Sequence, residues 1–345
     1  MPWTKIPLSN EELGCCPPGV HVATYAEALR EAQAQLLEAF PEVFLIGEGI
    51  DDVGGVFGST LGLHERFPGR VLDSPVSENA ITGACAGAAM SGMRPILIHM
   101  RGDFLLMSMD QIVNHVAKLR YMGNGRVSVP LVIRSVIGRG WGSAAQHSQA
   151  LHGLFMHIPG LKIAVPATPH DAKGLLMQAS ADGNPVLFFE HRWLYSLKGY
   201  VPDGLYTVPF GCGVIRRNGT DVTIIAVLQM VKEACMVAEA LSREGIEVEV
   251  IDPRTLCPLD MEIILRSVEK TGRLLVADNA HGVCGMGAEI IARVAECGVR
   301  LKAPPVRVSF PFVPTPASQP LEKAYYPSAR HIEQAVKEAL MNHLA

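Results

Sequence analysis

The chain has 345 residues, 48% of them hydrophobic, and a net charge of -4. That length exceeds one ordinary core, so two domains are expected. The charge argues against a nucleic-acid binder, which normally carries a basic face, and no apolar run is long enough to span a bilayer. The surplus of apolar residues points instead to surface buried between subunits. The start, Met1-Pro2-Trp3-Thr4-Lys5, has neither a signal-peptide core nor an Arg-rich transit pattern, and a cytoplasmic protein is expected. Eight cysteines lie scattered without paired ligand spacing. Buried thiols in a reducing compartment explain them better than a zinc site.

In chain order, residues 1–21 are rich in Pro, Gly and Ser and read as an arm. Thr24 opens a helix whose apolar residues, Ala28, Leu29, Ala32, Leu36 and Phe40, fall near helical spacing. Val43 to Gly47 reads as a buried strand, Leu61 to Phe67 as a helix and Val71-Leu72 as a strand. A helix of small residues, Gly83 to Ala89, follows, and then the strand Pro95 to Met100. A long helix is expected from about Ser108 to Tyr121. The strand Pro130 to Arg134 leads into the glycine-rich loop Gly138 to Ser143. Ile163 to Pro166 and Val186 to Glu190 read as strands flanking a helix, Pro169 to Ala181. The alternation predicts a doubly wound parallel sheet over residues 22–197. Residues 198–218, with Pro202, Pro209 and several glycines, read as a linker. Residues 219–345 repeat the alternation, with strands at Asp221 to Ala226, Val248 to Asp252, Arg273 to Asp278 and Val306 to Val308. The fold class is therefore α/β, with two doubly wound domains.

The stretch Asp73-Ser74-Pro75-Val76-Ser77-Glu78 holds a carboxylate between a strand and the small-residue helix. Glu78 reads either as a helix cap, complementing the N-terminal dipole, or as a functional acid at the end of a parallel sheet. Phe104, on the exit loop of the next strand, reads as core or as a stacking platform. His147, in Gln146-His147-Ser148-Gln149 after the glycine loop, reads as a structural hydrogen-bonding group or as a proton carrier. All three follow predicted strands, whose ends share one crevice in an open parallel sheet. There is no phosphate-binding loop of the G-x-x-x-x-G-K-[ST] type and no G-x-S-x-G elbow.

The segments LIGEGIDDVGGVF, DSPVSENAITGACAGAAMSGMRPI, DQIVNHVAKLRYM, AAQHSQALHGLFMHIPGLKIAVPATPHDAKGLL, VEVIDPRTLCPLDMEII and GMGAEI together carry a resemblance over nearly the whole chain. The sequence resembles the beta subunit of the thiamine-diphosphate-dependent decarboxylase component of 2-oxo acid dehydrogenase complexes, of pyruvate or acetoin type. The resemblance implies a pyrimidine-binding domain followed by a transketolase C-terminal-type domain. It implies that Glu78 contacts the aminopyrimidine of thiamine diphosphate, with Val76, Met100 and Phe104 lining the cofactor. His147 would lie near the reacting carbon and serve acyl transfer to a lipoyl group. The diphosphate and its Mg2+ would be held by an alpha subunit, in a heterotetramer of two alpha and two beta chains. A structural K+ would sit at Leu131, Ala179, Ser180, Asp182 and Asn184.

The sequence departs from the family's common pattern in four places. Gln146 stands where many relatives have a second histidine. Arg139 and Trp141 are bulky where small residues are common. Ala277-Asp278-Asn279-Ala280 replaces paired glutamates after Val276, and His99 and Arg101 add polarity to an apolar stretch. Two alternatives follow. One is half of a split transketolase-like enzyme, passing a two-carbon ketol unit to a sugar or a carrier-protein thioester. The other is a non-catalytic scaffold paralogue.

Overall fold

A computed structural model describes residues 2–138 and 142–341. Arg139, Gly140 and Trp141, the unusual tip of the glycine-rich loop, lie outside the described residues.

After a short helix, α1 (Asn10–Gly14), the first domain begins with β1 (Val20–Thr24) and α2 (Tyr25–Ala39). Thr24 caps α2 in a reciprocal box: its hydroxyl accepts from the Glu27 amide and the Glu27 carboxylate accepts from the Thr24 amide. Then come β2 (Val43–Gly47), α3 (Leu63–Arg66), β3 (Val71–Asp73), α4 (Glu78–Met90) and β4 (Arg94–His99). The helical stretch after β4 changes its winding twice. It is 3-10 over Gly102–Ser108, π over Asp110–Val116 and α over α5 (Ala117–Met122). Sequence periodicity predicts one helix from about Ser108; it does not register the wider turns, a form found mostly at functional sites. β5 (Val132–Ile137), α6 (His152–Met156), β6 (Lys162–Ala164), α7 (Pro169–Ala181), β7 (Val186–His191) and β8 (Lys198–Pro202) follow.

The second domain contains β9 (Val214–Arg217), β10 (Val222–Ala226), α8 (Gln229–Ser242), β11 (Val248–Asp252), β12 (Thr255–Cys257) and α9 (Met261–Thr271). It continues with β13 (Leu274–His281), α10 (Met286–Glu296), β14 (Val306–Phe310), α11 (Gln319–Tyr325) and α12 (Ala329–Met341). The chain thus has two α/β domains with mostly parallel sheets. The expected linker carries strands at both ends. β8 pairs antiparallel with β1, and β9 pairs antiparallel with β11. Both are short and flanked by Pro or Gly, which hid them from a pattern reading.

The first sheet runs β12-β6-β7-β5-β4-β2-β3 and the second β14-β13-β10-β11-β9. In the first, the connection after β2 leads to its neighbour β3, whereas that after β4 leads to β5 on the other side. The sheet therefore reverses direction between β2 and β4, where a crevice opens at the C-terminal strand ends. β12 belongs to the second domain by sequence yet pairs antiparallel with β6 of the first sheet.

A buried ion cluster fastens the two domains. Arg216 of β9 pairs with Asp171, in the first turn of α7, and with Asp252 at the end of β11, the latter at 2.7 Å. Arg254 also reaches Asp171, at 3.3 Å. Burial alone would raise the Asp171 pKa, but the charge of Arg216, a hydrogen bond from His170 and the charge of Arg254 together hold it low. A buried pair that loses one partner leaves an uncompensated charge. Arg216→Ala is therefore expected to lower stability by about 3–5 kcal/mol, read as a reduced urea midpoint, with Asp171→Asn showing a smaller loss of the same sign.

Candidate active site

Parallel register brings three strand ends level: Gly47 of β2 pairs with Asp73 of β3 and with Ile98 of β4. The next residues, Glu48, Ser74 and His99, lie side by side at the switch point, His99 as the last residue of β4. With Pro75 and Glu78 they line one small cleft. Gly47 is required there. A Cβ would sit 2.4 Å from the Ile98 carbonyl oxygen, so only glycine allows β2 and β4 to approach this closely. The Asp73 carboxylate accepts from the Gly49 amide at 2.7 Å and ties the two exit loops together.

Glu78 opens α4 and is 9% exposed. The preceding Ser77 makes no side-chain cap to the helix. Thr82 and Cys85, one and two turns on, face the core with it. Gly83 of the same helix lets Gln111 approach, where a Cβ would lie 3.2 Å from Gln111 Oε1. The cleft is electrostatically tense. Burial raises the Glu48 pKa, and the charges of Glu78 and Asp73 raise it further. Burial pushes His99 down to about 4, so its imidazole is neutral at physiological pH. Among the described residues, His99 Nε2 and Ser135 Oγ, on neighbouring strands, are buried without hydrogen-bond partners. Such orphaned polar atoms beside a carboxylate suit a polar ring better than a packed core.

Phe104 and His147 meet directly, edge to face, with ring centroids 5.5 Å apart. Phe104 lies on the 3-10 turn, against which α4 packs. On that turn, Asp103 accepts from the Gln149 amide at 3.3 Å and from its side-chain amide at 2.8 Å. The His147 loop and the Phe104 turn are therefore one unit. Met100 is half-buried across the Gly49 loop, and Val76 is 80% exposed at the mouth of the cleft.

Residues 21–198 match the transketolase pyrimidine-binding domain, and residues 211–332 the transketolase C-terminal domain. Over 324 residues the chain is 47% identical to the acetoin:2,6-dichlorophenolindophenol oxidoreductase subunit beta of Cupriavidus necator, covering 91% of this chain and 96% of that one. The corresponding subunit of Bacillus subtilis is 44% identical over 333 residues, covering 92% and 97%. A pyruvate dehydrogenase E1 component subunit beta, from Porphyra purpurea, is 41% identical over 313 residues, covering 90% and 95%. The chain belongs to this transketolase-type family of dehydrogenase beta subunits. A solved split-gene transketolase, described as an inactive beta4 tetramer, superposes with a TM-score of 0.77 over 93% of this chain and 99% of its own. At 23% identity, that likeness concerns the fold alone.

The five residues expected to hold potassium lie apart from this cleft, around the end of α7 and the start of β5. Four of the five already accept a hydrogen bond or ion pair. Arg94 donates to the Ser180 carbonyl at 2.6 Å, and Lys162 pairs with Asp182. The other Asp182 oxygen accepts from the amide and side chain of Asn184 at 2.9 and 2.7 Å. The Leu131 carbonyl takes the Val186 amide and the Ala179 carbonyl takes the Asp182 amide. A guanidinium and an ammonium close this turn.

Sequence reasoning missed Glu48 as a site residue. A carboxylate straight after a buried strand, one residue past a glycine, was the available signal. It also missed the buried pairs His152 with Asp278 and His191 with Asn279, whose members are 126 and 88 residues apart. Because Glu78 raises the Glu48 pKa, Glu78→Gln is expected to lower it toward the ordinary carboxylate range, as read by carbon-13 NMR titration of the side-chain carboxyls.

Proposed function

We propose that this beta subunit supplies the pyrimidine-side half of a thiamine-diphosphate site in a 2-oxo acid dehydrogenase of pyruvate or acetoin type. The observation that carries the reading is Glu78, largely buried at the switch-point cleft, unused as a conventional cap and flanked by Glu48 and neutral His99. When bound, the cofactor supplies a carbon nucleophile and an electron sink. Glu78 would exchange a proton with a ring nitrogen, Phe104 and Met100 would seat the ring, and Val76 would cover it. His147 would hold or move a proton beside the reacting carbon. Overall, a pyruvate-like 2-oxo acid, a proton and an oxidised lipoyl disulfide give carbon dioxide and an S-acyl dihydrolipoyl group, the disulfide taking up the two electrons. Acetoin is a second donor of the same acetyl unit, favoured by the relatives at 47% and 44% identity. It would leave acetaldehyde in place of carbon dioxide.

The mouth of the cleft supports a shared site. Val76, Val53 and Met107, on the segments that follow β3, β2 and β4, are more than half exposed. On α4, Ala80, Ala84 and Gly87 form an exposed stripe of small residues. An alpha subunit covering this surface would contribute the diphosphate and Mg2+ ligands, in a two-alpha, two-beta assembly that serves a lipoyl domain. Among the described residues no helix is long and apolar enough to cross a membrane.

The test is calorimetric titration of thiamine diphosphate with Mg2+ into this chain, its alpha partner and the pair. Tight binding only to the pair is the expected result; tight binding to this chain alone would overturn the shared site. In the assembled complex, Glu78→Gln is expected to lower turnover by about 10²–10⁴-fold, and unchanged turnover would exclude the assigned role.

A further inference from the structure

Among the described residues the second domain contributes none to the switch-point cleft, yet it holds both ends of the His147 loop. At the entry, the Gly142 amide donates to the Glu322 carboxylate at 3.1 Å. Glu322 lies on α11 and is 2% exposed. Gly142 has φ +78, and a Cβ there would lie 3.0 Å from the Ala317 carbonyl oxygen, so the loop backbone rests close on the segment before α11. At the exit, His152 opens α6, five residues after His147. Its Nε2 lies 3.0 Å from both oxygens of Asp278, in β13. His152 is fully buried. The next residue, Gly153, places α6 against the turn before α10, where a Cβ would meet Gly285 Cα at 3.4 Å. Between these two points Gln149 ties the loop to Asp103 of the first domain, beside the Phe104–His147 ring contact.

We infer that Asp278 and Glu322 are positioning residues for His147: the second domain clamps the loop at 142 and 152 and so sets where the imidazole meets the reacting centre. The inference rests on the reading of His147 given above. Both carboxylates are buried and each is spent on the loop, an arrangement that holds a short irregular segment in one geometry. A small displacement of a reacting group costs far more rate than stability. The partner that uses Asp278, His152, is on the helix that ends the loop. The clamp therefore joins a feature of the second domain to the step that His147 serves.

The experiment uses the assembled complex loaded with thiamine diphosphate and two assays. One is dichlorophenolindophenol reduction, which needs no lipoyl acceptor; the other is acylation of a lipoyl domain. Three variants are compared: His147→Ala, Asp278→Asn and Glu322→Gln. His147→Ala and Asp278→Asn are expected to slow lipoyl acylation by about 10- to 100-fold, and by clearly more than either slows dye reduction. Hydrogen exchange should rise over residues 142–151 and stay unchanged in β10 and β11. If Asp278→Asn slows both assays equally, or neither, while His147→Ala separates them, the clamp is overturned. If His147→Ala does not separate them, the reading of His147 fails instead. The clamp then stands or falls on whether exchange rises over the loop alone. Should Asp278→Asn not assemble, Glu322→Gln carries the same comparisons from the entry end.

Discussion

Arg216 fixes the geometry on which the rest depends. Its guanidinium sits between carboxylates from two domains, with its side chain and both partners almost completely buried. Hydrophobic contact alone would let two sheet domains slide, because apolar packing is not directional. A buried guanidinium shared by Asp171 and Asp252 admits one arrangement. Asp171 sits in the first turn of α7, where Thr168 caps the helix through the Asp171 amide. The second domain is thus registered against the frame of the first sheet. β12 adds to this by crossing into that sheet beside β6.

The cleft works by a division of charge that follows from sheet topology. Parallel strands deliver their C-terminal ends to one line, and the residue after each strand has nowhere to go but the crevice. Glu48 and Glu78 arrive there as like charges, and His99 arrives as a neutral ring. A carboxyl whose pKa is raised by burial and by a neighbouring carboxylate, next to polar atoms without partners, forms an environment ready to pass a proton. The Phe104 turn packs against α4 and β4, which both line the cleft. Its backbone is 3-10 and then π, so its side chains do not follow the 3.6-residue stripe of an ordinary helix.

The sequence made the frame legible wherever strands were runs of Val, Ile and Leu bounded by Gly or Pro, as at Val43–Gly47 and Val186–His191. Helices with strong caps, such as the one opened by Thr24, were equally clear. Glu78 by itself read equally as a helix cap, and it stood out only beside Phe104, His147 and the family resemblance. The edge strands β1, β8, β9 and β12 were not legible. Their stability comes from distant partners, and three to five residues carry too little pattern of their own. The same applies to Asp278 and Glu322. Nothing local distinguishes a carboxylate that holds a loop more than a hundred residues away from one that faces water. The likeness to relatives named as beta subunits gave the family, but Asp278 acquired meaning only when His152 was found against it.

The crossing of β12 also bears on how this chain is divided and inherited. A cut anywhere in residues 203–213 would look like a clean separation of two domains by sequence. It would strip β6 of its antiparallel neighbour and uncover the hydrogen-bonding edge at Ile163 and Ala164, both of which are buried in the intact chain. An open, apolar edge of that kind recruits other strands. The first domain is therefore not a free-standing module. Gene fission or domain shuffling at this boundary would have to carry Thr255–Cys257 along with the first sheet, or replace it.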